Sequence, residues 1–154
     1  IMKKNKATVI WIIAIVLLLL GLFLYPKLTA PRNKSQSDSK VPCLVPNLPL
    51  VQHIHPRLVI FIDGAEETLP ANIGIGACEK AIHTHDDDAA MGIIHIESQD
   101  RREYTLGDFF GVWEKPLNRD GYSLEVEVDG TAVQNPAELI FKDGQQIIFN
   151  YKKL

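Results

Sequence analysis

The sequence predicts an α+β fold, a small mixed sheet with one main helix, preceded by a single N-terminal transmembrane helix. Three observations carry this expectation. Residues 7 to 25, ATVIWIIAIVLLLLGLFLY, run for nineteen positions without a charge, close to the ~20 residues that cross a hydrocarbon layer. RLVIFIDG, YSLEVEVDGTAV and AELIFKDGQQIIFNYKK read as strand segments punctuated by Asp-Gly, which supplies the positive-φ residues of tight hairpin turns. YTLGDFFGVW alone stands out as helical.

Taken in chain order, residues 1 to 6 form a cytoplasmic head and residues 7 to 25 the anchor. A cleavable signal peptide or a buried core helix is the alternative. A signal h-region usually has ~7 to 15 residues and ends at a small-x-small site, whereas this run is longer and is followed by PKLTAPR, with Leu28 at the wrong place. Lys3, Lys4 and Lys6 precede the span, and Lys27, Arg32, Lys34 and Lys40 follow it, so the positive-inside rule alone barely decides orientation. A large C-terminal domain behind a short head favours N-in, C-out. The expected location is therefore the cell membrane, single-pass, with the domain extracytoplasmic, periplasmic or at the cell surface. Residues 26 to 52, rich in Pro, Ser, Lys and Asn, form an extracytoplasmic tether, and residues 53 to 154 a His-rich soluble domain.

Charge divides the chain in the same way. Residues 1 to 40 hold seven Lys or Arg and one Asp, whereas residues 41 to 154 hold nine basic and eighteen acidic side chains, net −9. An acidic domain disfavours nucleic acid, whose phosphates need a basic surface, and is compatible with gathering cations or simply with solubility. The two cysteines, Cys43 and Cys78, stand thirty-five residues apart. Outside the cytoplasm such a pair is expected to form a structural disulfide that pins the tether to the domain; unpaired thiols and metal or redox chemistry are the alternatives.

Within the domain, Leu124, Val126 and Val128 alternate with Glu125, Glu127 and Asp129, as suits a sheet with one wet face. AELIFKDGQQIIFNYKK repeats the pattern of strand, Asp-Gly turn and strand. Leu106, Phe109, Phe110 and Trp113 fall at i, i+3, i+4 and i+7, with Thr105 and Asp108 as an N-terminal cap. The aromatic stripe is expected to pack in the core rather than hold a ligand. A short mixed sheet with a helix across it, ending in a hairpin, resembles a β-grasp (ubiquitin-like) arrangement. NIGIGAC has no basic residue at a phosphate-loop position and reads as a turn.

All five histidines, His53, His55, His83, His85 and His95, lie between positions 53 and 95. His53-Ile54-His55 and His83-Thr84-His85 are both His-x-His, and His95-Ile96-Glu97 has the same spacing. Residues i and i+2 of an extended chain project from one face, so three short segments each offer two metal-competent side chains on one side. Imidazole is the usual protein ligand for Zn, Cu, Ni and Fe. Thr84, Asp86, Asp87, Asp88 and Glu97 could orient the rings. A hydrogen-bonded structural cluster and a metal-free acid-base site are the competing readings.

HIH, LPANIGIGAC, HTHD, GIIHIES and TLGDFFGVW together resemble a group of small, uncharacterised bacterial and archaeal extracytoplasmic proteins that are often membrane-anchored. The resemblance covers residues 53 to 113 well and implies a shared architecture rather than a reaction. In that group the turn between HTHD and GIIH is usually shorter than DDAAM here, which leaves Asp87, Asp88 and Met91 outside the resemblance.

One transition-metal ion is expected, with copper favoured over zinc by the Irving–Williams order and iron as a further option if His83, His85 or His95 acts with Glu97. Met91 could add a soft ligand for Cu(I), although such a residue is more often a core gap-filler. An anchored extracytoplasmic metal-binding module explains the bunched histidines with the fewest additions; the alternatives are a metalloenzyme with three histidines, an open position and Glu97 or Asp86 as general base, and a metal-free interaction domain. No HExxH motif, Ser-centred nucleophile elbow or Gly-rich phosphate loop favours an enzyme. The short tether implies a membrane or extracytoplasmic protein partner.

Overall fold

The computed structural model describes residues 41 to 154. The expected head and anchor, and most of the expected tether, lie outside these residues. Among the described residues no helix is long and apolar enough to cross a membrane. The described residues form an α+β unit of two sheets and one α-helix.

The smaller sheet contains β1 (Gln52–Ile54), β4 (Ile82–His83) and β5 (His95–Ser98), with β5 in the centre. Both pairings are antiparallel. The larger sheet contains β2 (Arg57–Ile62), β3 (Ala65–Glu67), β6 (Tyr122–Val128), β7 (Thr131–Ala132) and β8 (Gln146–Lys153), in the order β3-β2-β8-β6-β7. β2 and β8 run parallel at its centre, and the other pairings are antiparallel. The helix α1 (Leu106–Trp113) lies in sequence between the β2-β3 hairpin and β6.

Local chemistry explains these elements. Asp63 and Gly64 (φ 49° and 85°) and Asp129 and Gly130 (φ 49° and 78°) take the paired positive φ values of a two-residue hairpin turn. They close β2-β3 and β6-β7. On β6, Val126 and Val128 are buried while Glu125 and Glu127 are exposed, as the alternation predicts. At the helix start, the Asp108 amide donates to Thr105 Oγ1 (3.2 Å) and the Thr105 amide to Asp108 Oδ2 (2.9 Å), the reciprocal capping box read from the sequence. Leu106, Phe109 and Phe110 are buried, and Phe110 stacks on Phe149 of β8 at 5.5 Å. The aromatic stripe is core.

The expected terminal hairpin is absent among the described residues. Residues 137 to 142 form no strand: Ile140 makes one isolated bridge to Thr105, the Phe141 amide donates to the Tyr104 carbonyl, and the Leu106 amide donates to the Leu139 carbonyl. This segment pairs with residues 104 to 106 at the start of the helix instead. β8 finds its partners in β2 and β6, where Ile147, Phe149 and Tyr151 become fully buried. Long-range burial outweighs the local hairpin signal.

Cys43 and Cys78 form a disulfide. Around it the Leu44 amide donates to the Glu79 carbonyl and the Ala81 amide to the Pro42 carbonyl. Val41 is buried in the core, so residues 41 to 44 belong to the folded unit. The two sheets are joined where the Leu58 amide donates to the Gly92 carbonyl and the Ile94 amide to the Pro56 carbonyl. These bonds tie the entrance of β5 to the start of β2.

Candidate metal centre

The smaller sheet builds the site through its register. His53 stands opposite Glu97, and His83 opposite His95. Directly opposed residues share a face, and so do i and i+2 on one strand; His53, His83, His95 and Glu97 therefore all lie on one face. Ile54, Ile96 and Ile82 oppose one another on the other. Ile82 and Ile96 are fully buried and Ile54 packs against the core. Burial of each such side chain is worth about 1.5–3 kcal/mol, and a one-residue slip would exchange the two faces. The isoleucines thus fix where the histidines go. His55 and His85 follow β1 and β4 and complete the cluster.

His95 is its hub. Its ring lies 4.5 Å from His85, 4.6 Å from His55, 5.5 Å from His83 and 6.4 Å from His53, centroid to centroid. Two groups of ligand atoms result. His83, His85, His95 and Glu97 each place one atom within 4.8 Å of the others, and so do His53, His55 and His95. Either group could hold a metal ion.

Hydrogen bonding sets the tautomers that matter. His83 is buried, and its Nδ1 lies 2.8 Å from the Lys80 carbonyl oxygen. A carbonyl only accepts, so Nδ1 carries the proton and Nε2 presents a lone pair. That Nε2 faces His85 Nε2 at 3.0 Å and Glu79 Oε1 at 3.2 Å. An imidazole nitrogen and a carboxylate oxygen beside one lone pair call for a positive species between them, a proton or a metal ion. His95 Nε2 lies 2.6 Å from Asp88 Oδ2 and donates to it. His95 Nδ1 is then a lone pair too, buried and without a hydrogen-bond partner, 3.8 Å from Glu97 Oε1. An unsatisfied buried polar atom costs about 1–3 kcal/mol, which a bound cation would offset.

Burial pushes the His83 imidazole below its ordinary pKa, against the raising influence of the Lys80 carbonyl and the Glu79 carboxylate. Burial lowers that of His55 as well, helped by neighbouring His95 and His53. Both rings are thereby held in the neutral form that ligates metals.

The remaining candidates occupy distinct positions. The Thr84 hydroxyl donates to the Pro70 carbonyl and accepts from the Ile73 amide, bracing the loop before β4. Asp86 Oδ1 accepts from Asn72 Nδ2. Of the aspartates 86 to 88, Asp88 lies 2.6 Å from a histidine, His95, and it is the residue before the short 3-10 turn Ala89–Met91. Met91 is 57% exposed rather than a core filler, and its carbonyl accepts from Arg57 Nε. Glu79 and the Lys80 carbonyl were not among the expected site residues. No local pattern marks them, because their place beside His83 depends on the disulfide-linked segment folding back.

LPANIGIGAC also acquires a structural reason. Gly74 has φ +77°, and a Cβ there would collide with the Ile82 carbonyl oxygen and crowd the His83 Cβ at 3.2 Å. Only glycine lets this loop lie against β4. Comparison with protein-family models, curated proteins and solved structures gave no significant match.

Proposed function

We propose that this protein holds one divalent transition-metal ion between His83, His85, His95 and Glu97, with Cu(II) favoured over zinc by the Irving–Williams order. The observation that carries the reading is the convergence of these four ligand atoms within 4.8 Å, with the opposite ring nitrogens of His83 and His95 already engaged by the Lys80 carbonyl and Asp88. Carboxylate or carbonyl partners on the far side of ligating imidazoles are the usual support of metal centres. The donor set is three nitrogens and one oxygen, without thiolate. It suits a divalent ion better than Cu(I), and four protein ligands would satisfy a four-coordinate ion, which favours holding or delivering the ion over catalysis at an open position.

We further read the five-stranded sheet as a β-grasp. The order β3-β2-β8-β6-β7, the parallel central pair and the helix that follows the first hairpin support it; a fold of this kind implies no activity by itself. The uncharged run of residues 7 to 25 supports an anchored, extracytoplasmic location, and the short tether supports a partner at the membrane surface. X-ray absorption of the full chain loaded with Cu(II) or Zn(II) tests the ligand set. Imidazole and oxygen scatterers at about 2.0 Å with no sulfur contribution near 2.3 Å are expected. Failure to bind either ion would leave the histidines as a hydrogen-bonded cluster and defeat the reading.

A further inference from the structure

Resting on the metal-binding reading, we infer that His53 and His55 form an outer landing site that passes the ion to the inner group through His95, so that the two groups exchange one metal and never hold two. His95 belongs to both groups. Its Nε2 is committed to Asp88 at 2.6 Å, which leaves Nδ1 as its one lone pair. A ring with one free lone pair serves one ion at a time.

Position and charge give the exchange a direction. The His53 side chain is 51% exposed, while that of His83 is fully buried, so an ion arriving from solvent meets His53 first. The outer group consists of three imidazoles, whereas the inner group adds the Glu97 carboxylate and has Glu79 Oε1 3.2 Å from His83 Nε2. A dication moving inward keeps Glu97 beside it and gains the Coulombic stabilisation of Glu79. Glu97 also spans the route, with Oε1 3.1 Å from His53 Nε2 and 3.8 Å from His95 Nδ1. His53 and His55 leave as His83, His85 and Glu97 take their place, and His95 stays bound throughout. Exchange through such a shared ligand avoids a bare ion in a buried site, where desolvation would be costly. Metal leaves by the reverse sequence, so the outer pair accelerates loading and release equally and does not set the final affinity.

The test uses the full chain with Zn²⁺ and Cu²⁺ alone, loaded by rapid mixing and stripped by a chromogenic chelator. The wild type should bind one equivalent. In His53→Ala/His55→Ala, loading and stripping should both slow by about tenfold or more, within the range over which on-rates vary between related sites, with equilibrium affinity nearly unchanged. His83→Ala/His85→Ala should load rapidly at the outer group but bind far more weakly. Unchanged rates in the outer variant, or a large loss of its affinity, would overturn the relay while leaving the inner site intact. Two equivalents bound at once by the wild type would also overturn it, because His95 would then serve two ions. No binding by the wild type would defeat the metal reading itself.

Discussion

His95 is the residue on which the centre turns. It belongs to both ligand groups, so His95→Ala should abolish tight metal binding, whereas Lys115→Ala, at an exposed residue outside both groups, should leave a calorimetric titration unchanged. Asp88→Asn keeps the side chain's shape but weakens its hold on His95 Nε2; affinity should fall about 10- to 100-fold without disappearing. A second expectation concerns the metal-free protein. Burial lowers the His83 pKa below that of the unfolded chain, while His85, Glu79 and Glu97 face the ring. The unfolded state therefore takes up a proton more readily. The stability His83 contributes is fully present above its ordinary pKa of about 6.5 and is lost as pH falls through that value toward the depressed one. Urea midpoints of the metal-free protein should drop between pH 7.5 and pH 5, and His83→Gln should reduce that drop; an equal drop in the variant would place its origin elsewhere.

At the scale of elements, the site depends on β4 being held in register beside β5. Gly74 lies against the Ile82 carbonyl with φ +77°, whereas a Cβ at nearby Gly76 would meet open space. Gly74→Ala should destabilise by about 1–3 kcal/mol and weaken metal binding, and Gly76→Ala should do neither, as urea unfolding and titration would reveal. The His95-x-Glu97 face was legible from period-two geometry, because β5 is extended where the pattern lies; His55 and His85 lie just past the ends of β1 and β4, with their rings 4.6 Å from those of His53 and His83. Which residues stand opposite one another was not legible. The register His83↔His95 and His53↔Glu97 is imposed by the isoleucine face packing on a core that includes α1 and β8, and no short stretch of sequence contains that information. The helix was legible to its capping residues, since Thr105 and Asp108 bond locally. The segment before β8 misled for the converse reason: its hairpin signal is local, and its partners lie at residues 104 to 106.

At the scale of the whole molecule, the disulfide and the two joined sheets make the metal centre a feature of the folded unit rather than of a loop. Cys43–Cys78 closes a separation of thirty-five residues, and chain entropy alone would assign it about 3–4 kcal/mol. It also fastens the segment that carries Glu79 and Lys80 beside His83. Cys43→Ser/Cys78→Ser should lower the thermal midpoint and weaken metal binding together; a lowered midpoint with unchanged affinity would detach the bridge from the site. The pairing was legible from an even cysteine count, but its bearing on His83 needed the fold. Elemental mass spectrometry on the full chain, exported, purified without a histidine tag and compared with His83→Ala/His95→Ala, reads out whether His83, His85, His95 and Glu97 hold one transition-metal ion. One equivalent of copper or zinc in the wild type, lost in the variant, is the predicted result. Absence of metal from both proteins after exposure to each ion, or equal metal in both, would contradict it.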